Sequence, residues 1–259
     1  MTRDPSTSAN DALRITWGAV RRSLTRPYRV TLPMVLLVSL VPLYLVIAGR
    51  AQSGVVHAPV LALDRLLPLT PMWALVYGAL YAFLIVVPVF VIHQEELIRR
   101  TVWAYLTVWT VAYICFLIYP TIAPRPDTVT GEGFAAWGLR FLYEADPPYN
   151  CFPSLHVAHS FVSALACWRV HRTLGFFAVA CASFVALSTL FTKQHYVADL
   201  LAGILLAFAA YLVFLRGYAR ANVPELDRRL APVLALCVGG IVSLGVGCYW
   251  VLFRLGFEL

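Results

Sequence analysis

Long apolar stretches dominate this chain and decide its fold class. About seven runs are apolar over roughly the 20 residues that a helix needs to cross a bilayer. Charged residues make up 13% of the sequence, about half of what a soluble domain of this length carries. The sequence therefore predicts an all-α integral membrane protein with about six to seven transmembrane helices. The runs cover residues 30–48, 71–92, 102–119, 155–168, 175–191, 197–215 and 232–253.

The chain divides into an arm, a membrane domain and a C-terminal segment. Residues 1–29 form a basic arm, and residues 30–218 form the membrane domain, whose polar motifs lie between residues 120 and 200. Residues 219–259 comprise an inner loop and one further transmembrane helix. The first apolar run is long enough to span a bilayer, so we expect it to stay in the membrane rather than to act as a cleaved signal peptide.

Basic residues alternate between the predicted loops as the positive-inside rule describes. With a cytoplasmic arm, 14 arginines fall on the inner side and six basic residues fall on the outer side. The outer group consists of Arg50, Arg65, Arg125, Arg140, Lys193 and Arg254. We therefore expect a multi-pass protein of the cell membrane with a cytoplasmic N-terminus and an extracytoplasmic active site. The net charge of +7 then reflects topology and contact with membrane lipids, and it indicates no nucleic-acid partner.

Two histidines and a carboxylate stand at the outer ends of apolar runs. His195 and Asp199 are four residues apart, so they share a face if they lie on one helix. The carboxylate can then hold one imidazole nitrogen and leave the other as a base or nucleophile. His156 ends a Pro-Ser-Leu-His sequence that is typical of a helix start, where free backbone N–H groups attract an anion. The alternatives are a structural His–Asp pair that caps a helix and an ordinary interface histidine.

Three polar side chains are candidates for binding a phosphate group. Arg125 lies between two prolines, which fix its backbone and favour rigid, bidentate phosphate binding. Lys193 is the only lysine beside 19 arginines and lies two residues before His195. Ser154 offers a hydroxyl at the same predicted helix start as His156. The alternative for Arg125 is a solvated loop arginine, and the alternative for Lys193 is a solvated residue at a helix end.

The loop from residue 120 to residue 152 is the longest of the predicted outer loops. It contains a segment in which aromatic residues alternate with Arg140 and Glu144. Such a segment is typical of an amphipathic helix at the membrane interface. Long loops often act as lids, so we expect this one to cover the site.

The six cysteines show neither a CxxC pair nor any other metal-ligand spacing. The sequence therefore predicts no metal and no cofactor. Cys151 lies in the long outer loop, and the sequence leaves two alternatives for it. It is either a free thiol or the partner of Cys115 or Cys248 in a disulfide.

Taken in their order along the chain, the polar motifs resemble those of the type-2 phosphatidic acid phosphatase superfamily, which shares its site with the vanadium haloperoxidases. An Arg-Pro pair at Arg125 resembles the end of the first family motif, and the sequence ending at His156 resembles the second, Pro-Ser-Gly-His. A Ser-Thr pair followed by His195 and Asp199 resembles the third, in which Ser-Arg comes first. The resemblance covers residues 71–218 and implies a phosphatase-core helix bundle, with the C-terminal helix as an addition.

The chain departs from the family pattern at two cationic positions. The first-motif lysine falls at Ile118 and the third-motif arginine falls at Thr189, so Lys193 is the candidate to supply part of the missing charge. The Ser-Leu-His variant, together with Asp146 and Asn150, resembles the branch that contains the inositol phosphorylceramide synthases. That branch implies transfer of a phospho-headgroup, such as inositol phosphate, between lipids.

The resemblance implies catalytic, phosphate-binding and supporting roles without a metal. His195 is the nucleophile that forms a phosphohistidine, Asp199 orients it, and His156 protonates the leaving group. The residues that bind the phosphate oxygens are Arg125, Lys193 and Ser154. The candidate supporting residues are Asn150, Asp146 and His159. His159, one helical turn beyond His156, also fits a role in packing alone.

Two classes of function are compatible with these residues. The favoured one is a membrane enzyme that hydrolyses or transfers a lipid phosphoester at the outer face, with a lipid phosphate or phospholipid as substrate. The alternative is a non-enzymatic transporter or scaffold that keeps a degenerate anion site. Among enzymes, a phosphatase and a phosphotransferase share the first half-reaction and differ in whether water or a hydroxyl group enters second. The sequence identifies no protein partner.

Overall fold

Ten α-helices make up the fold in residues 5–25 and 28–257, which a computed structural model describes. No β-strand occurs in these residues, and the predicted all-α class is confirmed. The helices are α1 (Pro5–Leu24), α2 (Tyr28–Ser39), α3 (Val41–Gln52), α4 (Met72–Val91), α5 (Glu95–Ile118), α6 (Phe134–Ala145), α7 (Leu155–Val170), α8 (Arg172–Phe191), α9 (Val197–Ala210) and α10 (Glu225–Arg254).

Six segments of the described chain are long and apolar enough to cross a membrane. They are Met34–Gln52, Met72–Val91, Glu95–Ile118, Arg172–Phe191, Val197–Leu215 and Glu225–Arg254. The predicted run 155–168 corresponds to α7, which has 16 residues. A helix of that length is about 24 Å long, whereas the hydrocarbon core of a bilayer is about 30 Å thick. The protein is therefore a multi-pass membrane protein in which α7 is an inner element.

Helix α7 lies at the centre of the bundle, with α4, α5, α8 and α9 packed around it. Its buried positions include many small side chains, such as Ala158, Ser160, Ala164 and Ala166. Small residues let neighbouring helices approach closely, which is how helices pack in membranes. Because other helices surround α7, its polar first turn faces the loops at the end of the bundle and not lipid.

The first predicted run, 30–48, is split into α2 and α3 at Leu40. Pro42 lies in the first turn of α3. Proline has no N–H group and its ring clashes with the carbonyl of residue i−4, so it ends a preceding helix. The predicted arm is also helical where it is described, because α1 packs against α4 and α10. Residues 1–4 and 26–27 of that arm lie outside the described residues.

The loops at one end of the bundle are joined to one another. The N–H of Thr70, before α4, donates to the carbonyl of Phe191, at the end of α8, over 2.9 Å. The predicted amphipathic segment forms α6, which packs on α4 and α10. The indole N–H of Trp137 donates to the carbonyl of Phe257 over 3.0 Å. The starts of α7 and α9 lie at this same end, which is the outer end in the predicted topology.

Candidate active site

His156, His195 and Asp199 meet where α7 and α9 begin. The Nε2 atom of His195 lies 3.3 Å from Nδ1 of His156, and Nδ1 of His195 lies 3.4 Å from Oδ2 of Asp199. Asp199 is completely buried and His195 is 5% exposed. When the N–H on Nδ1 of His195 faces the carboxylate, a lone pair remains on Nε2. A carboxylate and two imidazoles in such a row can activate a nucleophile and move a proton.

A tight turn between α8 and α9 presents His195. The N–H of His195 donates to the carbonyl of Thr189 over 3.2 Å. Lys193, in the same turn, has a φ of 55°, a left-handed conformation that side-chain-bearing residues seldom adopt. Asp199 holds the other side of the turn, because its Oδ2 accepts the N–H of Tyr196 over 2.8 Å. This is one half of a capping box, and it fixes the histidine from both directions.

Helix α7 begins at the residues where the sequence predicted a helix start. Ser154 is its N-cap, and the Oγ atom accepts the N–H of Val157 over 3.3 Å. The N–H of Ser154 donates to the carbonyl of Asp199 over 3.0 Å, which joins α7 to α9. Ser154 is completely buried. Its hydroxyl hydrogen is not used in the capping bond and can still be donated to a ligand.

Gly203 lets α9 approach the start of α7. A Cβ atom at this position would lie 2.6 Å from the carbonyl oxygen of Ser154 and 3.3 Å from the Cβ of Val157. The carbonyl is part of the backbone that begins α7 and cannot turn away as a side chain would. Glycine is therefore required here for the two helices to bring His156 and Asp199 together.

Arg125 is held by the outer loop and is not a solvated arginine, since its side chain is 9% exposed. Its NH1 group donates to the carbonyl oxygens of Tyr143 (3.1 Å) and Asp146 (2.7 Å). Its NH2 group lies 3.6 Å from the carboxylate of Asp146, and the guanidinium lies 4.5 Å from the centre of the Tyr143 ring. The buried Nε atom has no partner in the described part of the chain and remains a free donor of this side chain.

Asp146 and Asn150 belong to the same hydrogen-bond network. The hydroxyl of Tyr44 donates to Oδ1 of Asp146 over 2.8 Å, and Nδ2 of Asn150 donates to the carbonyl of Tyr44 over 3.1 Å. The hydroxyl of Tyr143 donates to the carbonyl of Thr192 over 2.6 Å. Burial raises the pKa of Tyr143 to about 12, so this hydroxyl keeps its proton at neutral pH. The network connects the long outer loop to the turn that carries His195.

Lys193 reaches a neighbouring loop, residues 61–67, which we call the 61–67 loop. Its ammonium group donates to the carbonyl oxygens of Leu67 (2.6 Å) and Asp64 (3.4 Å). In the opposite direction, the carboxylate of Asp64 accepts the N–H of Val197, the first residue of α9, over 2.8 Å. The 61–67 loop is therefore hydrogen-bonded to residues on both sides of His195. The part of Lys193 in phosphate binding stays a prediction, because its observed partners are backbone carbonyls.

Two tyrosines of α4, which the sequence analysis missed, form a wall beside His156. The ring centres of Tyr77 and Tyr81 lie 5.4 Å and 5.1 Å from the imidazole of His156, with the rings edge to face. Their spacing of four residues in an apolar run is the signal that would have placed them on one face. His159 lies one turn further along α7, with its ring centre 4.4 Å from that of Tyr105, and its ring contacts are those of a packed side chain.

Cys151 joins the site only in the folded chain. Its Sγ, a ring nitrogen of His195 and a carboxylate oxygen of Asp199 all lie within 4.8 Å of one another, and all three residues are buried. Spacing along the sequence predicted no metal-ligand group, and the fold brings one together. All six cysteines are free, so Cys151 forms no disulfide. Burial raises the pKa of the Cys151 thiol well above its ordinary value, which keeps the thiol protonated.

Comparison with known families gives the same assignment as the motifs. The sequence profile of the PAP2 superfamily matches residues 50–213, more than half of the chain. The chain belongs to the PAP2 superfamily. The matched region contains His156, His195 and Asp199, and it leaves α1, α2 and α10 outside. Membership of the PAP2 superfamily points to a phosphatase-type membrane enzyme.

A PA-phosphatase related-family protein of Dictyostelium discoideum is 25% identical to this PAP2-superfamily chain over 121 residues. The match covers 42% of this chain and 22% of that relative, so the chain spans well under a third of the relative's length. No solved structure matches the chain. The narrower resemblance to inositol phosphorylceramide synthases stays a prediction.

Proposed function

We propose that this PAP2-superfamily protein hydrolyses or transfers a lipid phosphoester through a phosphohistidine formed on His195. The observation that carries the proposal is the row of contacts from His156 to His195 to Asp199, at 3.3 Å and 3.4 Å. The row provides a nucleophile, a group that orients it and a proton donor in one buried place. The family membership supports phosphoester chemistry, and the apolar helices support a substrate that resides in the membrane.

The first half-reaction exchanges a P–O bond for a P–N bond. The Nε2 lone pair of His195 attacks phosphorus, and the bond to the alcohol of the lipid breaks with its electron pair on oxygen. His156 enters as the imidazolium, which the nearby phosphate stabilises, and donates its Nδ1 proton to that oxygen. Asp199 holds the N–H on Nδ1 of His195 and stabilises the positive charge that develops on the ring.

The second half-reaction reverses these changes with a new oxygen. Water or an acceptor hydroxyl gives its proton to Nδ1 of His156, and its oxygen forms a bond to phosphorus. The P–N bond breaks, and its electron pair returns to Nε2 of His195. With water the product is inorganic phosphate or a phosphate monoester, and with a hydroxyl it is a new phosphoester. His156 ends as the imidazolium and is ready for the next cycle.

Three donors with unused hydrogens can stabilise the equatorial oxygens. They are the Nε–H of Arg125, the hydroxyl of Ser154 and the third N–H of Lys193. A single transition-state donor of this kind is worth about 3–4 kcal/mol. In this proposal Arg125 and Lys193 keep their carbonyl partners and give only their remaining hydrogens to the phosphate.

The proposal places the reaction at the extracytoplasmic face of the membrane. The excess of basic residues in the inner loops supports this orientation, because 14 of them lie inside and six outside when the arm is cytoplasmic. The joined loops at the site end of the bundle would then face the outer leaflet. Lipid phosphates and phospholipids present in that leaflet are the proposed donors.

The test uses purified protein in detergent and a panel of lipid phosphates, lipid diphosphates and a phosphoinositol lipid. Free phosphate and new phospholipid are both measured, with and without a hydroxyl lipid as acceptor. We expect turnover that His195→Ala abolishes. His57→Ala is the matched control, since His57 is an exposed histidine of the same loop end.

The products decide between hydrolysis and transfer. Free phosphate without an acceptor indicates a phosphatase, whereas new phospholipid that requires the acceptor indicates a phosphotransferase. A folded protein that binds inorganic phosphate but turns over no member of the panel would contradict the proposal. That result would support the alternative, a transporter or scaffold with a degenerate anion site.

A further inference from the structure

Cys151 contributes a sulfur atom to the centre of the site, and the proposed reaction does not use it. The sulfur, a ring nitrogen of His195 and a carboxylate oxygen of Asp199 lie within 4.8 Å of one another. Cys151 is 2% exposed, so this group of ligand atoms is largely closed to solvent. They come from two separate parts of the chain, the end of the long outer loop and the segment that comprises the turn before α9 and the first turn of α9.

The carboxylate of Asp199 has one buried oxygen without a hydrogen-bond partner in the described part of the chain. Its Oδ2 accepts the N–H of Tyr196 and faces His195, whereas Oδ1 is buried and has no hydrogen-bond partner among the described residues. A buried polar atom without a partner destabilises the fold, and native structures contain few of them. An unpaired oxygen on a buried carboxylate that lies beside a thiol and an imidazole therefore points to a ligand that is positively charged.

The backbone holds the sulfur in position before any ligand binds. The N–H groups of Cys151 and Phe152 both donate to Oγ1 of Thr121, over 2.8 Å and 3.1 Å. The thiol itself makes only long contacts, 3.8 Å to the carbonyl of Pro148 and 4.0 Å to that of Thr121. Metal binding replaces these long S–H contacts with a metal–thiolate bond and releases the thiol proton.

The three atoms suit one class of cation. Zinc binds sulfur, imidazole nitrogen and carboxylate oxygen in tetrahedral sites, often with a fourth position left for water or another ligand. Magnesium and calcium prefer sites made of oxygen atoms, and magnesium requires near-ideal octahedral geometry. A buried set with one sulfur, one nitrogen and one oxygen therefore selects a soft divalent cation over the hard ones.

We infer that Cys151, His195 and Asp199 form a zinc-binding site, and that zinc bound there inhibits the enzyme. The inhibitory part rests on the proposed function. A cation bonded to the imidazole withdraws electron density from the nucleophile, and a cation bonded to Asp199 removes the group that orients it. Zinc bound there therefore slows phosphohistidine formation.

The first experiment measures the metal directly, without any lipid substrate. The full chain, purified in detergent and freed of metal, is titrated with Co²⁺ as a visible substitute for Zn²⁺, and the absorption from thiolate-to-cobalt charge transfer is recorded. We expect one equivalent of Co²⁺, displaced by Zn²⁺ and not by Mg²⁺. In Cys151→Ala and Cys151→Ser the charge-transfer band should disappear and the affinity should fall by about tenfold or more.

Cys181→Ala is the matched control, because Cys181 is also a buried free thiol and lies in α8, outside the group. It should keep the band and the affinity. Size-exclusion profiles exclude misfolding, and two substitutions at residue 151 keep the test valid if one of them does not fold. A band that survives in both folded variants, or an absence of binding in the unmodified chain, would overturn the zinc site.

The second experiment measures turnover of the active lipid substrate in zinc and in EDTA. For each variant, the rate in zinc is divided by the rate in EDTA. The ratio should show inhibition in the unmodified chain and in Cys181→Ala, and weaker inhibition in Cys151→Ala. Equal inhibition in all three would overturn the inhibitory role. If no lipid is turned over but the cobalt band depends on Cys151, the proposed function fails and the binding site stands.

Discussion

The hydrogen bonds between the 61–67 loop and the His195 turn lead to a prediction that separates two roles for Lys193, holding the loop and binding phosphate. Its ammonium group lies 2.6 Å from the carbonyl of Leu67, and the carboxylate of Asp64 lies 2.8 Å from the N–H of Val197. If Lys193 acts by holding the loop, then Lys193→Met and Asp64→Ala damage the same structure. If it acts by binding phosphate, the two substitutions remove unrelated interactions.

The size of the effect follows from the bonds that are lost. A hydrogen bond with a charged partner contributes about 1.5–3 kcal/mol. Since about 1.36 kcal/mol is a factor of ten in rate, Lys193→Met should lower turnover by about 10- to 150-fold if the whole loss affects the placement of His195. Asp64→Ala removes one such bond to Val197 and a second one to Leu61 within the loop, so its effect should reach at least the same range. Loss of a phosphate-binding donor predicts roughly 10²–10³ for Lys193→Met alone.

The double variant distinguishes the loop-holding role of Lys193 from the phosphate-binding role. Substitutions in one shared contact network are not additive and show interaction energies of about 0.5–3 kcal/mol. The loop-holding role therefore predicts that Lys193→Met with Asp64→Ala is slower than either single variant but clearly faster than the product of the two effects. Lys193→Arg should recover part of the activity, since the charge is kept and the geometry changes.

The assay is turnover of the active lipid substrate in detergent, with folding checked by size exclusion. Arg65→Ala is the control, because Arg65 is an exposed neighbour of Asp64 in the same loop and should leave turnover within about threefold of the unmodified chain. Effects that multiply in the double variant would refute the loop-holding role. A change below about threefold in Asp64→Ala would refute it as well.

Three further predictions concern the nucleophile, the helix contact and the orientation. His195→Ala should abolish turnover and the acid-labile phosphate trapped on the protein, whereas Asp199→Asn should lower turnover by about 10³–10⁴-fold with the fold intact; full turnover in His195→Ala would end the mechanism. Gly203→Ala should destabilise the protein by about 1–3 kcal/mol or more in thermal unfolding, whereas Gly240→Ala, which meets no atom within 4 Å, should not. Thr130→Cys should react with an impermeant thiol reagent in intact cells, above the background labelling of the unmodified chain. If labelling exceeds that background only after the cells are lysed, the outer location of the site is contradicted.

Features that depend on residues close in the sequence could be read without the structure. The length of an apolar run decides whether a helix can span the bilayer, so the class and most of the spans follow from the sequence. The spacing of His195 and Asp199 is local in the same way, and so is the start of α7 at Ser154. The break at Leu40 had a local signal too, in Pro42, which the apolar character of the run concealed.

Features that depend on contacts between distant segments were decided by the tertiary structure. Lys193 and Leu67 are 126 residues apart, and charge alone does not tell whether a long, flexible ammonium side chain will meet a phosphate or a backbone carbonyl. Cys151 has no ligand spacing to His195 and Asp199, because the three residues meet only when the outer loop folds over the start of α9. The sequence by itself determined which polar groups lie at the ends of the helices. Helix packing, with a close approach at Gly203, decided which of them touch.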